Sequence, residues 1–160
     1  MVAVGVGVGV WLLASDGSQQ AAKPSDDPVQ FLRGVVRQIA SNDFDGAWEK
    51  LHPTQQRVAT REDYVNCEQL TPAPGHVDWI KFLGRKEERI TVAGEKGTVP
   101  SEAVKFRLKL FEPVLQKSDF WKFTVHAVAV DGQWRWILPP AVYEKYRTRA
   151  CFQSPPVPDQ

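Results

Sequence analysis

The sequence predicts an α+β fold, with helices first and then a curved, mainly antiparallel sheet of four or more strands. Three observations carry this. Early apolar residues recur at helical spacing, as Phe31, Leu32, Val35, Val36 and Ile39 do. Beyond Val77 the period drops to two, most plainly where Val104, Phe106, Leu108 and Leu110 alternate with Lys105, Arg107 and Lys109. The helical and strand signals are segregated rather than interleaved, which separates α+β from α/β.

The chain of 160 residues suits one domain, and 42% hydrophobic residues supply a core. Lys and Arg total 20 against 19 Asp and Glu, a formal charge of +1. A general nucleic-acid binder carries a strong basic excess, so nucleic acid is not an expected partner. Residues 1–14 interleave Val2, Val4, Val6, Val8 and Val10 with Gly5, Gly7 and Gly9, then run Trp11-Leu12-Leu13-Ala14. An apolar stretch of about 13 residues fits a signal-peptide core and is short for a spanning helix. The first basic residue is Lys23, so the usual charged start is missing. The segment reads as a signal or anchor, and as a plain apolar extension in the alternative. Residues 15–26 are small and polar, the composition of a flexible tether. This order leads to an expected extracytoplasmic location, secreted or held at the membrane through the N-terminal segment alone.

The folded domain is expected over residues 27–152. Asp27-Pro28 is a cap followed by Pro at the first helical position and opens a helix to Ala40, with Arg33, Arg37 and Gln38 on its polar face. Asn42 or Asp43 starts a shorter helix with Phe44, Ala47, Trp48 and Leu51 apolar, and Pro53 opens a further turn through Arg57. Thr60-Arg61-Glu62-Asp63 resembles a capping box and begins a helix carrying Tyr64, Val65 and Cys67. Thr71–Gly75 ends the helical half. Val77–Leu83 and Arg89–Ala93 read as one bent strand or two. Val104–Leu110, Phe120–Val130 and Gln133–Leu138 follow, with Asp131-Gly132 as a hairpin turn. Pro139-Pro140 stops the last strand, Ala141–Arg149 closes as a helix, and residues 153–160 form a Pro-rich tail.

This order resembles the nuclear transport factor 2-like superfamily, the cone-shaped (cystatin-like) fold that includes ketosteroid isomerases. The carrying features are the helix from Asp27, Phe44-Asp45-Gly46-Ala47-Trp48, Leu51-His52-Pro53, the Tyr64-x-x-Cys67 helix, and Val128-Ala129-Val130-Asp131-Gly132-Gln133-Trp134-Arg135-Trp136. Several look like those of small exported actinobacterial domains of unknown activity. The resemblance implies a concave space between helices and sheet. No position matches an isomerase's Tyr and paired acids, so the fold transfers and the chemistry does not.

Cys67 and Cys151 are too few for a zinc site and too distant in sequence for a redox pair. In an oxidising compartment they are expected to form one disulfide, the alternative being two buried thiols. His52, His76 and His126 share no metal spacing, and no cofactor motif is present. Tyr64, Asp78, Trp79, His126 and Trp136 are the expected lining of the concave space, with His126 and a carboxylate as a conceivable acid/base pair. The structural alternatives are a His bonded within the sheet and an aromatic core. Lys105, Arg107 and Lys109 read as a solvated basic stripe. The functional expectation is a non-catalytic binding or accessory domain, holding a small apolar ligand or a protein partner. Its rivals are an isomerase- or dehydratase-type enzyme using His126, and a structural module that forms a homodimer through its sheet face.

Overall fold

The computed structural model describes residues 23–152, so the expectations for residues 1–22 and 153–160 lie outside the described residues. The helical half runs α1 (Pro28–Ala40), α2 (Phe44–Glu49), α3 (Pro53–Gln56) and α4 (Arg61–Glu68). The strands β1 (His76–Ile90), β2 (Val99–Glu112), β3 (Lys117–Val130) and β4 (Gln133–Trp136) follow, then α5 (Pro140–Arg147) and a 3-10 turn over Ala150–Phe152. The sheet is antiparallel throughout, in the order β1-β2-β3-β4. The α+β class is therefore as the sequence predicts.

Local chemistry sets each boundary. The Asp27 carboxylate accepts from the Val29 amide, Asp43 from Gly46 and Thr60 from Asp63, each satisfying an N–H that the first helical turn leaves orphaned. At the hairpin, Asp131 (φ 49°) and Gly132 (φ 74°) both take positive φ, the geometry that matches strand twist in a two-residue turn. Gly75 (φ 75°) is required for a second reason: a Cβ there would lie 2.1 Å from the Phe111 carbonyl oxygen.

β1 is one strand, bent by irregularities between Val77 and Trp79 and between Phe82 and Gly84. β4 ends at Trp136 rather than at Leu138. The Leu138 amide leaves the ladder to donate to the buried Gln55 side chain at 2.7 Å. As a result β3 pairs with β4 only over Ala127–Val130, and its earlier residues form a free edge on that side.

One sheet face packs on the helices. Val104, Phe106, Leu108, Leu110, Ala127, Trp134 and Trp136 are buried there with Leu32, Val35 and Val36 of α1, which packs against all four strands. Phe31 and Ile39, expected in the apolar face of α1, are half-buried at its margins. Cys67 and Cys151 form a disulfide with a Cα–Cα distance of 5.8 Å, tying the 3-10 turn to α4. α5 lies beside it, and the Tyr146 hydroxyl donates to Glu68 at 2.5 Å.

Two stability outcomes follow from this packing. Leu32→Ala, at a fully buried position, should cost about 2–5 kcal/mol in denaturant unfolding, while the exposed Arg37→Ala should be nearly neutral. The reverse ranking would show that the helix phase is wrong. Reducing the disulfide, which spans 84 residues, should lower the melting temperature. The chain-entropy contribution is on the order of 4–5 kcal/mol, and an unchanged melt under complete reduction would refute it.

Candidate functional site

A cavity of about 630 Å³ opens between the helical layer and the sheet. Three walls build it. Val36, Ile39 and Ala40 of α1 with Phe44 of α2 form one. Thr71–Pro74 forms the second, and Leu108, Leu110, Trp121, Phe123 and Val125 form the third. Trp136–Pro140, the segment that has left the sheet, closes the end. The Pro-rich wall is held in place by Asn42, in left-handed conformation (φ 62°), whose side chain both accepts from the Ala73 amide (2.8 Å) and donates to its carbonyl (3.3 Å). Volume and apolar lining suit a small-molecule site.

The polar side chains on the lining are Glu68, Thr71, Thr91, Thr124 and His126. Glu68 accepts from Tyr146. Burial and this carboxylate together push the Tyr146 phenol above its ordinary pKa, so it stays a neutral donor. His126 shares its Nδ1 with the Ser101 hydroxyl at 3.1 Å, and the Glu88 carboxylate lies 3.7 Å from the same nitrogen. Burial lowers the His126 pKa more than Glu88 raises it, which favours the neutral imidazole.

The five expected lining residues are not brought together. Trp136 lines the cavity, its indole N–H donating to the Ala47 carbonyl at 2.7 Å. Tyr64 lies in the core behind it, edge-on to Trp136 at 6.4 Å and beside Tyr146 at 5.8 Å. Asp78 and Trp79 are on the other side of the sheet. The irregularity at Asp78 breaks strict alternation, so that Ile80 pairs with the inward Leu108 and Trp79 pairs with the outward Lys109. Asp78 then ion-pairs with Lys109 at 2.6 Å. His126, opposite Ala103 in the register, also belongs to the outward face. It reaches the cavity because the lining takes residues from both faces of β3, wrapping the free edge beyond the Ala127–Trp136 rung.

The remaining histidines are accounted for locally. His52 caps α3, accepting from the Thr54 amide through Nδ1, with Glu95 at 3.7 Å from Nε2. His76 is exposed and edge-on to Phe111. Sequence reasoning missed Glu68 and the aliphatic walls. The strict alternation of Val104–Leu110 was the available signal for Leu108 and Leu110, whereas Glu68 is one residue past Cys67 and bears no motif.

Comparison with protein-family models finds no match to this chain, and comparison with curated proteins finds no similar one. Among the described residues no helix is long and apolar enough to cross a membrane. None of their His, Cys, Asp and Glu side chains cluster as a metal site would require.

Burial lowers the pKa of both His52 and His126 below the ordinary 6.5. The unfolded chain therefore takes up protons first as pH falls through that value. Stability should be full above it and decline on acidification between about pH 7 and pH 5. Denaturant midpoints across this window should fall for the parent protein and flatten in a His52→Gln/His126→Gln variant. An equally steep fall in the variant would assign the effect to other groups.

Proposed function

We propose that this is a non-catalytic binding or accessory domain, exported or tethered at the membrane, that holds a small apolar ligand in the cavity between helices and sheet. The carrying observation is that the cavity is apolar while its two titratable groups are engaged by the protein: Glu68 by Tyr146 and His126 by Ser101. The helix-first order and the curved antiparallel sheet support a cone of the nuclear transport factor 2-like type, whose concave side such a ligand would fill. The disulfide supports an oxidising compartment.

The enzymatic alternative rests on His126. General acid/base chemistry needs the imidazole within reach of a substrate proton, about 2.6–3.2 Å, and is helped by a carboxylate that orients the ring. Glu88 is 3.7 Å away and bonds Lys86 at 2.9 Å. Ser101, the closer partner, is itself buried. These contacts, all on Nδ1, support a structural role for His126.

Titration with the neutral fluorophore N-phenyl-1-naphthylamine tests the binding reading. The parent protein should bind it with enhanced emission. Ile39→Glu, which puts a carboxylate on the cavity wall, should weaken binding by about tenfold or more. Ala73→Trp, which adds bulk to the Pro-rich wall of the cavity, should do the same without adding charge. His126→Gln should leave binding intact. Unchanged binding in both wall variants would refute the site, and ketone turnover abolished by His126→Gln would replace this reading with the enzymatic one.

A further inference from the structure

The face of the sheet turned away from the helices carries an arrangement that folding alone disfavours. Lys81 of β1 pairs with Arg107 of β2, and Arg107 pairs with Lys122 of β3. Three cations thus stand side by side across the sheet, about 4.8 Å between strands. Like charges directly opposite each other destabilise a sheet. Lys105 extends the row along β2, and among the described residues no carboxylate within 4.0 Å pairs with Lys81, Lys105, Arg107 or Lys122. The Arg107 guanidinium lies 6.0 Å from the Trp79 ring and 4.9 Å from that of Phe120, with its Nε buried and unpartnered. Phe120 is nonetheless 52% exposed. At the same end of the sheet, the β2–β3 turn presents Val114 (85% exposed) and Leu115 (65% exposed).

We propose that this face docks on the surface of an anionic phospholipid bilayer. The unpaired cations complement lipid phosphates, the ring pair suits the headgroup level, and the turn supplies aliphatic side chains for the acyl boundary. Nucleic acid shares the taste for cations and rings but has no use for exposed Val114 and Leu115. β3 links this face to the cavity, since Phe120 belongs to the face and its neighbour Trp121 lines the cavity.

Vesicle flotation of the full chain tests the proposal, comparing phosphatidylcholine alone with an equimolar phosphatidylcholine–phosphatidylglycerol mixture at low salt. Residues 1–14 carry no charged side chain, and whatever they and the chain's α-ammonium add is common to parent and variants, so the parent-to-variant ratio reports the charged face. The parent should prefer the anionic vesicles by more than about tenfold and lose that preference as salt is raised. A Lys81→Gln/Arg107→Gln/Lys122→Gln variant should lose most of that preference, at up to about fivefold per cation removed. Relief of cross-strand repulsion should keep its melting temperature at or above the parent's. Lys105→Gln/Lys122→Gln, at two exposed positions, provides a milder second variant with a partial loss expected. Equal partition of the parent between the two vesicles would overturn the proposal, as would a preference that survives in the variants. Tighter binding to a single-stranded oligonucleotide than to anionic vesicles would overturn it in favour of nucleic acid.

Discussion

The fold turns on Trp136. Its amide donates to the Lys50 carbonyl (3.1 Å) and its carbonyl accepts from the His52 amide (2.9 Å), making a parallel bridge to Leu51 from a strand otherwise paired to β3. Its indole N–H reaches the Ala47 carbonyl, and its ring meets Tyr64. One residue therefore joins the helical layer to the sheet through backbone and side chain together. A bond-forming indole in a dry site is hard to replace, because any apolar substitute leaves the Ala47 carbonyl without that donor. The same residue ends β4, and ending β4 there is what frees the edge of β3 and opens the cavity beside it.

The second constraint is register. Over Val104–Leu110 β2 keeps strict alternation, so these residues divide into a helix-facing apolar set and an outward basic set. β1 must match both sets along fifteen residues, and it does so through two local irregularities that reset which side chains face inward. The first turns Trp79 outward, where it lies 6.0 Å from Phe120 with Arg107 close to both. A large aromatic that would have filled the interior instead joins the charged face. The irregularity thus bears on both sides of the sheet at once.

Much of this was legible in the sequence, and the limits have physical reasons. Helix starts were readable because Asp27, Thr60 and Pro53 act through neighbours a few residues away. The hairpin at Asp131-Gly132 was readable because its backbone demands those residues. The Cys67–Cys151 pairing needed only that the chain has two cysteines and one domain to hold them. Trp79 was misplaced because a one-residue irregularity flips every following side chain, and nothing in Val77-Asp78-Trp79 announces it. His126 was placed with the cavity for the wrong reason: it belongs to the outward face and reaches the lining around an edge that exists because Leu138 bonds Gln55. That is a contact across 83 residues of chain, which no local pattern encodes.

The start of the domain shows the same dependence on distant partners. Residues 23–26 have the composition of a tether, and two of them, Lys23 and Asp26, contact the folded domain. The Trp134 indole donates to the Asp26 carbonyl at 2.7 Å. Lys23 reaches Glu102 at 2.7 Å and Glu87 at 2.8 Å. Glu102 is the reason this matters, because its side chain is only 4% exposed and Arg85 lies 3.4 Å away. A carboxylate that deep in the sheet is costly unless cations meet it. Lys23 and Arg85 supply those cations from two directions, while Arg85 also approaches Asp27 at the cap of α1 (3.8 Å). The entry of the chain, the cap of the central helix and a buried acid of β2 therefore form one charged assembly. It lies at the end of the sheet opposite the β2–β3 turn.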